Sequence, residues 1–338
     1  MSDKSLSFEY LRNKTVLVTG GGGSIGGELS KQIATLAPKK LIIFDIYENN
    51  AYLIGNDISM SCPELNLEIL IGSVRDRARV FEVFERERPD IVFHAAAHKH
   101  VPLMETSPAE AVKNNVFGTL NVAEAASCFL SEKFILISTD KAVAPSSVMG
   151  ATKRLCEMLI FDINTNSDTA FSCVRFGNVM ASAGSVVPLF ERQIKVGGPV
   201  TVTHPDVNRY FMSVSEAVSL VLSAGYLAEG GETFVLDMGE SVNIDSMARR
   251  MITEAGFTPD VDVKIVYTGL RDGEKLDEID LLCDSELVKT SSERIYVKYS
   301  RDNVMSVYEK LGDLRDVTER TDGDVRAALK ALVTDYNY

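Results

Sequence analysis

The sequence has few cysteines and no long apolar run, and these absences exclude several kinds of protein. Its five cysteines are scattered and form no Cys-x-x-Cys pair, which argues against a disulfide framework or zinc site and favours buried thiols in a reducing compartment. No stretch approaches the roughly 20 apolar residues of a membrane span, and residues 1–4 do not start a secretory signal. We therefore expect a cytoplasmic protein without direct membrane contact, or the water-soluble part of a membrane-anchored parent.

An excess of positive charge is also absent. Lys and Arg number 35 against 48 Asp and Glu, which gives a formal net charge of -13 and argues against a nucleic-acid surface. An anionic ligand must then meet a local basic cluster or a set of backbone N–H groups. The 338 residues, 45% hydrophobic and 25% charged, are typical of a globular chain with one large domain or two closely packed ones.

The first half of the chain alternates short apolar strands with amphipathic helices. Such strands, separated by crossover helices, are typical of a parallel sheet covered on both faces. We therefore predict a doubly wound α/β fold with a Rossmann-type sheet. The predicted strands are residues 15–19, 41–45, 68–71, 90–95, 134–138 and 170–175, and the predicted helices include residues 76–87, 107–128 and 149–163.

A glycine-rich turn, Gly20-x-x-Gly23-x-x-Gly26, directly follows the first strand and starts a helix. Glycines permit a tight turn and a close approach to a pyrophosphate, and the helix N-terminus, here Ser24 and Ile25, supplies N–H donors. Asp45 ends the next strand, where a carboxylate can accept the adenosine ribose hydroxyls and repel a 2′-phosphate. The pattern predicts NAD in preference to NADP; the alternative is a structural turn beside a solvated aspartate.

Beyond Phe176 the pattern becomes irregular and is interrupted by glycines and prolines. We expect a smaller substrate-binding lobe that is interwoven with the sheet, because a helix at 213–228 and a strand at 233–237 still follow. The predicted division is an NAD-binding domain at 13–175 with further segments from the second half, a mainly substrate-binding lobe at 176–300 and a helical tail at 301–338.

The spacing of the glycine turn resembles that of the short-chain dehydrogenase/reductase superfamily. The resemblance implies that Ser73 and Val74 lie near the adenine ring and that Ala95 and Ala96 line the adenine-ribose side. Asn115, in the pattern Asn-x-x-Gly-Thr, resembles a cofactor-side segment of the extended members, which bind nucleotide sugars.

The active site of that superfamily contains Ser or Thr after the fifth strand and then Tyr-x-x-x-Lys on a helix. Here the helix has Met149 and Lys153 at those positions, and a thioether has no proton to exchange. Thr139, Asp140 and Lys141 follow the fifth strand, so a hydroxyl, a carboxyl and an amine lie where substrate and nicotinamide would meet. Either these residues are the acid–base groups of the reaction, or they are polar residues at the end of a strand that face water.

Several longer segments are similar to the bacterial polysaccharide-biosynthesis (capsule type) UDP-N-acetylglucosamine 4,6-dehydratases. The similarity extends from about residue 13 to residue 275. Residues 276–280 depart from the pattern, and we assign no role to them. The segments that carry the resemblance are Ser138–Pro145, Val148–Arg154, Ala95–Pro102, Val174–Val179, Pro205–Met212 and Gly269–Lys275.

The resemblance implies a redox-neutral elimination. Hydride moves from C4 of the sugar to NAD, the resulting 4-ketone acidifies the C5 proton, the C6 hydroxyl leaves as water, and the hydride returns to C6. Thr139 would hydrogen-bond the C4 oxygen, Asp140 would be the acid and a neutral Lys141 the base, while Lys153 would hold the nicotinamide ribose. Asp140, directly or through water, would take the C4 hydroxyl proton. Met149 either packs beside the sugar or is an ordinary core residue.

The resemblance also indicates residues for the UDP group. Arg209 and Arg271 would supply the positive charge that a diphosphate needs in an acidic protein. Asn178 could donate to the same phosphates, Glu274 could accept from the uridine ribose, and Lys99 could line the sugar pocket. The neighbouring histidines have no third ligand at suitable spacing, so no metal site is predicted.

Two further expectations depend on the family. Methionine members usually retain the configuration at C5, which favours a D-xylo 4-keto product. The helices at 107–128 and 149–163 correspond to those that pair in superfamily dimers, which favours a homodimer or a larger homo-oligomer. The alternatives are a nucleotide-sugar 4-epimerase or dehydrogenase of the same fold, disfavoured by the missing tyrosine, and a non-catalytic NAD-binding protein.

Overall fold

The structure is a computed structural model and describes residues 6–180, 182, 184–299, 307–320 and 323–338. Residues 1–4 and the predicted boundary at 300–301 lie outside this range. The strands are β1 (Thr15–Thr19), β2 (Lys40–Asp45), β3 (Leu67–Ile71), β4 (Ile91–His94), β5 (Lys133–Ile137), β6 (Ala170–Arg175), β7 (Asn178–Val179), β8 (Val200–Val202), β9 (Asn208–Met212), β10 (Glu232–Leu236), β11 (Ser241–Asn243), β12 (Ile265–Tyr267), β13 (Val288–Lys289) and β14 (Ile295–Tyr299).

The helices alternate with the strands in the first half, and a π-helical turn at Val112–Phe117 joins the fifth helix to the sixth. Among the described residues, no helix combines the length and apolar character needed to cross a bilayer. The helices are α1 (Ser24–Ala34), α2 (Glu48–Ser61), α3 (Arg77–Glu87), α4 (Val101–Thr106), α5 (Pro108–Ala111), α6 (Gly118–Cys128), α7 (Val148–Asn164), α8 (Val186–Lys195), α9 (Val214–Leu227), α10 (Ile244–Glu254), α11 (Leu311–Glu319) and α12 (Val325–Leu332).

The large sheet has the strand order β13-β14-β10-β6-β5-β4-β1-β2-β3. The strands from β10 to β3 run parallel, and β14 and β13 add an antiparallel edge. The strand order reverses between β1 and β4, and in open α/β sheets ligands bind at such a switch point, beyond the carboxyl ends of the strands. The predicted doubly wound Rossmann-type sheet is confirmed, and each strand predicted in the first half lies within one residue of its observed ends.

Both faces of the sheet are covered because successive side chains of a strand point to opposite faces. Leu17 in β1 belongs to the core formed with α3, α6 and α7, whereas its neighbours Val16 and Val18 belong to the core formed with α1, α2 and α9. All three side chains are buried. Burial on both faces explains why the strand sequences are continuously apolar.

A smaller lobe is built from the second half of the chain and has its own core. This core contains Phe190 of α8, Val202 of β8 and Ile252 of α10, beside two small sheets with the orders β11-β9-β7 and β12-β8. The lobe is interwoven with the large sheet, because α9 packs against α1 and β10 pairs with β6. This interweaving agrees with the predicted fold class.

The C-terminal tail packs against the helices that were expected to pair between subunits. Leu314, Leu329 and Tyr336 are buried in the same core as α7, and α12 lies against α7. In α7 every residue is described and none is exposed, and in α6 only Cys128 is exposed. A dimer through these helices would therefore have to displace the tail, and the homo-oligomer stays a prediction.

Candidate active site

A cleft of about 870 Å³ runs along the carboxyl edge of the large sheet and reaches into the smaller lobe. It joins the glycine turn to the segment after β5 in one continuous space. Of the predicted site residues, those that line it are Gly20, Gly23, Ser24, Ile25, Gly26, Asp45, Ser73, Val74, Ala95, Ala96, Lys99, Thr139, Lys141, Met149, Lys153, Asn178, Arg209, Arg271 and Glu274. Asp140 and Asn115 lie behind this lining.

The glycine turn has a backbone that only glycine fits at two positions. Gly20 has a φ of +67°, and a Cβ on Gly26 would lie 2.1 Å from the Gly20 carbonyl oxygen. This close approach lets α1 begin directly at the cleft, with Ser24 and Ile25 in its first turn. The N-terminal N–H groups of a helix and its partial positive charge suit a phosphate at this position.

Asp45 is held beside the glycine turn by two backbone donors. Gly22 N donates to Asp45 Oδ2 at 2.8 Å, and Tyr47 N donates to Asp45 Oδ1 at 2.8 Å. Each carboxylate oxygen has a further lone pair, which can accept a ribose hydroxyl. The glycine turn, the start of α1 and this carboxylate together have the geometry expected for NAD.

Asn115 has a different place from the one expected. Its Oδ1 accepts from His98 N at 2.7 Å, and its Nδ2 donates to His98 O at 3.0 Å and to Thr152 Oγ1 at 3.0 Å. The side chain is buried and holds the loop after β4, whereas Asn114 lines the cleft. Asn115 therefore shapes the cleft wall from behind.

Thr139, Asp140 and Lys141 form a hydrogen-bonded cluster where the chain turns after β5. Thr139 Oγ1 donates to Asp140 Oδ1 at 2.8 Å, and Lys141 Nζ donates to the same oxygen at 3.0 Å. A 3₁₀ turn at Asp140–Ala142 fixes this arrangement. Asp140 is only 2% exposed, and its Oδ2 is buried without a hydrogen-bond partner among the described residues.

Lys141 is held by two carboxylates. Its Nζ lies 3.0 Å from Asp140 Oδ1 and 3.0 Å from Glu278 Oε1. Burial lowers the pKa of Lys141, but the charges and hydrogen bonds of the two carboxylates outweigh burial and raise it. Without the cofactor, the two carboxylates therefore favour the ammonium form of Lys141. A neutral Lys141 in the presence of Lys153 and oxidised nicotinamide stays a prediction.

Glu278 is the site residue that the sequence argument missed. It belongs to the segment 276–280, to which no role was assigned, yet it is buried and contacts Lys141. Backbone contacts bring this segment to the site: Asn208 N donates to Leu276 O, and Asp277 bridges to the start of β9. In the sequence, the one indication that Glu278 belongs to the site was that it lies three residues after the 269–275 motif.

Arg209 and Arg271 line the same part of the cleft but differ in their partners. Arg209 is buried and donates to Leu276 O at 2.9 Å, to Lys275 O at 2.7 Å and to Glu274 Oε1 at 3.2 Å. Its guanidinium thus holds the 274–276 segment in place, and these bonds leave fewer N–H donors free for a phosphate. Arg271 is exposed at the cleft and is the better placed cation for an anionic ligand.

The remaining predicted residues lie on three walls of the cleft. Met149 is 4% exposed and belongs to the sheet core, as one interpretation expected, and it also lines the cleft, so that packing beside the sugar stays a prediction. Lys153 follows one helical turn later on α7. Asn178 Oδ1 is 3.5 Å from Lys141 Nζ, and Lys99 Nζ is 3.4 Å from Ser182 Oγ across the cleft.

The sheet order and the glycine turn define a Rossmann-type protein. The cluster after β5 places acid–base groups at its cleft. The sequence profile of the family described as polysaccharide biosynthesis protein matches residues 16–300. The chain belongs to this family.

Three curated relatives show the range of named functions. Capsular polysaccharide biosynthesis protein CapD of Staphylococcus aureus is 49% identical over 304 residues, 89% of this chain and 50% of that protein. The UDP-N-acetylglucosamine 4,6-dehydratase (inverting) of Campylobacter jejuni is 36% identical over 290 residues, 84% and 82% of the two chains. A UDP-glucose 4-epimerase of Rickettsia rickettsii is 34% identical over 332 residues, 96% and 92% of the two chains. The chain spans about half the length of CapD.

Two solved structures agree with this fold. Pen from Bacillus thuringiensis superposes with a TM-score of 0.78 at 34% identity, covering 86% of this chain and 91% of that one. UDP-glucose 4-epimerase from Thermus thermophilus, a complex with NAD, has a TM-score of 0.66 at 21% identity, covering 78% and 89%. The second likeness supports the fold alone.

Proposed function

We propose that the chain catalyses the NAD-dependent dehydration of UDP-N-acetylglucosamine to a UDP-4-keto-6-deoxy-N-acetylhexosamine, for surface glycan synthesis. The observation that carries this proposal is the ion pair of Lys141, which lines the cleft, with the buried Asp140 directly behind it, 3.0 Å between Nζ and Oδ1. The helix that lines the same cleft has Met149 in place of the usual tyrosine. A simple hydride transfer needs one acid–base group, whereas an elimination needs an acid for the leaving hydroxyl and a base for the C–H proton.

The proposed cofactor is NAD, and the fit of the glycine turn and Asp45 supports it. Bound NAD would accept a hydride from C4 of the sugar and return it at C6. Ser73, Val74, Ala95 and Ala96 line the end of the cleft beside the turn, where the adenosine would lie. We place residues 13–175 as the core of the cofactor domain.

The chain's own residues would then move the protons. Thr139 would hydrogen-bond the C4 oxygen, and Asp140, directly or through water, would take the C4 hydroxyl proton. Asp140 would later give this proton to the C6 hydroxyl, which leaves as water. Lys141 would remove the C5 proton once the 4-ketone has acidified it, and Lys153 would orient the ribose of the cofactor at the cleft.

The UDP group would occupy the part of the cleft between β9 and the 269–275 loop. Arg271 and Asn178 would contact the diphosphate, and Glu274 would accept from the uridine ribose, with Arg209 fixing the segment around it. Lys99 would contact the sugar. These local cations satisfy the need for positive charge in a protein with a net charge of -13.

We propose retention of configuration at C5. Met149 has no exchangeable proton, so the group that removes the C5 proton is also the best placed to return it to the same face. The Campylobacter relative is named as inverting, and the two outcomes give different sugars.

A second candidate is a nucleotide-sugar 4-epimerase, which the Rickettsia relative favours by name. The test is incubation of the protein and NAD with UDP-N-acetylglucosamine in deuterated water, followed by NMR. The proposal expects loss of water, a C6 methyl group, deuterium at C5 and the D-xylo configuration. A C4 epimer with an intact C6 hydroxyl would instead support the epimerase, an L-arabino product would contradict retention, and no turnover of any UDP-sugar would favour a non-catalytic NAD-binding protein.

A further inference from the structure

Glu278 is a second buried carboxylate on the amine of Lys141. Its side chain is 4% exposed, and its Oε1 lies 3.0 Å from Lys141 Nζ and 3.8 Å from Arg209 Nε. Its other oxygen, Oε2, is buried and has no hydrogen-bond partner among the described residues. A buried carboxylate with one unsatisfied oxygen is costly, because removal from water is compensated only by full pairing.

The cluster around Lys141 has two carboxylates and one ammonium, so one of the carboxylates can accept a further proton. Asp140 and Glu278 both use the single Lys141 ammonium, and Asp140 Oδ2 is also unpartnered among the described residues. The neighbouring cations donate their hydrogen bonds mainly to other groups. Lys275 donates to Val143 O and Ala144 O, and Arg209 donates to the carbonyl oxygens of residues 275 and 276 and only approaches Glu278, at 3.8 Å. Both carboxylates lie within hydrogen-bond distance of Lys141 Nζ, so a proton that leaves this amine has an acceptor directly beside it.

We infer that Glu278 is the positioning residue that sets the proton state of Lys141, holding its ammonium in the resting site and taking the proton when Lys141 acts as base. This inference rests on the proposed dehydratase function, since it concerns the removal of the C5 proton. Asp140 and Glu278 both favour the charged form of Lys141, and Glu278 would be the group that accepts the proton so that Lys141 can act as the base.

The step is balanced within the site. An N–H bond of the Lys141 ammonium breaks, its electron pair stays on nitrogen, and the proton forms an O–H bond on Glu278. The neutral amine then takes the C5 proton as the C6 hydroxyl, protonated by Asp140, leaves as water. After the hydride reaches C6, an N–H bond of Lys141 breaks and its proton returns to C5. The O–H proton of Glu278 then moves back to Lys141 Nζ, which restores the ammonium and the Glu278 carboxylate.

The position of Glu278 separates this role from that of Asp140. Asp140 is hydrogen-bonded to Thr139, on the side that would face the C4 oxygen. Glu278 instead lines a side pocket of about 140 Å³ that shares Lys141, Arg209 and Arg271 with the main cleft. A pocket of this size can hold water, since one water occupies about 30 Å³ in the liquid. The proton on Glu278 would thus exchange with solvent without passing through the sugar.

The test compares Glu278→Gln with Asp277→Asn in the holoenzyme. Both replace an acid by its amide in the same segment, but Asp277 is exposed and contacts Asn208 instead of Lys141. We expect E278Q to lower kcat about 100-fold, within the range for loss of acid–base catalysis, with KM nearly unchanged. Oxidation at C4 should persist, so that reduced nicotinamide accumulates without loss of water. Glu278→Asp should restore part of kcat, and D277N should behave like wild type.

A second measurement does not depend on turnover. Acetic anhydride acetylates only neutral amines, and mass spectrometry gives the rate at Lys141 across pH. Removing the Glu278 charge should lower the pKa of Lys141, so that E278Q reacts about tenfold faster than wild type or D277N at equal pH, the effect of one pKa unit.

The outcomes are distinguishable. Two results would overturn the role of Glu278 even in an active dehydratase. One is an acetylation rate at Lys141 that is unchanged in E278Q, and the other is a variant in which KM rises but kcat does not fall. A wild-type protein that does not dehydrate UDP-N-acetylglucosamine would overturn the proposed function, whatever the acetylation rates show. A drop in kcat together with faster acetylation, seen in E278Q but not in D277N, supports both.

Discussion

The Arg175 guanidinium forms two hydrogen bonds with the Glu157 carboxylate, Nε to Oε1 at 2.8 Å and Nη2 to Oε2 at 2.6 Å. Ser138 Oγ donates to the same carboxylate at 2.6 Å. Burial raises the pKa of Glu157, but the charge and hydrogen bonds of Arg175 outweigh burial and lower it. This buried group joins β6, α7 and the end of β5 directly before the Asp140 turn, so it supports the candidate catalytic cluster.

Glu157→Gln should destabilise the fold strongly, because it leaves the Arg175 charge buried without its counter-charge. Removing one partner of a buried ion pair typically costs about 3–5 kcal/mol of unfolding free energy. Urea denaturation measures this loss. The control is Glu254→Gln, in the exposed pair with Arg250 whose side chains are 69% and 67% exposed. An E157Q loss no larger than that of the control would contradict the account.

Gly26→Ala should weaken NAD binding, because the new Cβ would lie 2.1 Å from the Gly20 carbonyl oxygen and would push the turn out of shape. Overpacking of this kind costs about 1–3 kcal/mol, which corresponds to a roughly five- to 150-fold weaker Kd if the distortion falls on the bound state. Titration calorimetry gives the Kd. Gly312→Ala in α11, where a Cβ meets no atom within 4 Å, is the control. Equal Kd values for the two variants would refute the requirement for glycine.

His94 should make stability depend on pH. Its Nδ1 contacts Thr19 Oγ1 at 2.7 Å and its Nε2 contacts Thr119 Oγ1 at 2.9 Å. Burial, together with the Lys153 charge, lowers the pKa of His94 from 6.5 to about 3. The unfolded chain therefore binds this proton first as pH falls, and the stability contributed by the neutral ring is present above pH 6.5 and lost between pH 6.5 and 3.

Unfolding free energies at pH 7 and pH 5 check this prediction. Between these values wild type should lose about 2 kcal/mol more than His94→Gln, since one pKa unit corresponds to about 1.4 kcal/mol. His204→Gln, which changes a partly exposed histidine, should keep the wild-type difference. Identical losses in wild type and H94Q would show that His94 is not held neutral by the fold.

The sequence predicted the sheet well because its strands are buried on both faces and the glycine turn is local. The strand at 15–19 and the glycine turn that follows it were each visible within a few residues. The packing of the tail could not be predicted, because a helical pattern at 325–332 does not say which surface its apolar face covers. The structure shows that this surface is α7.

Site residues that directly follow strand ends could be predicted from the sequence. A residue that reaches the site only through a long-range contact was missed. Thr139 and Lys141 meet the cofactor end of the cleft because parallel strands end at one edge. Glu278 reaches Lys141 only through contacts of its segment with Asn208 and Arg209 in β9, which no spacing in the sequence encodes. The contact of Glu278 with Lys141, which favours the ammonium form in the protein without cofactor, was missed for the same reason.

In the proposed reaction, the hydride removed from C4 is kept in the site and returned to C6 of the same sugar. Incubation with UDP-N-acetylglucosamine deuterated at C4, in ordinary water, follows this hydride, with the position of the label determined by NMR. The deuterium should appear in the C6 methyl group of a 4-keto product, without loss to solvent. Deuterium that remains at C4, in a C4 epimer or in unreacted sugar, would contradict the proposed reaction.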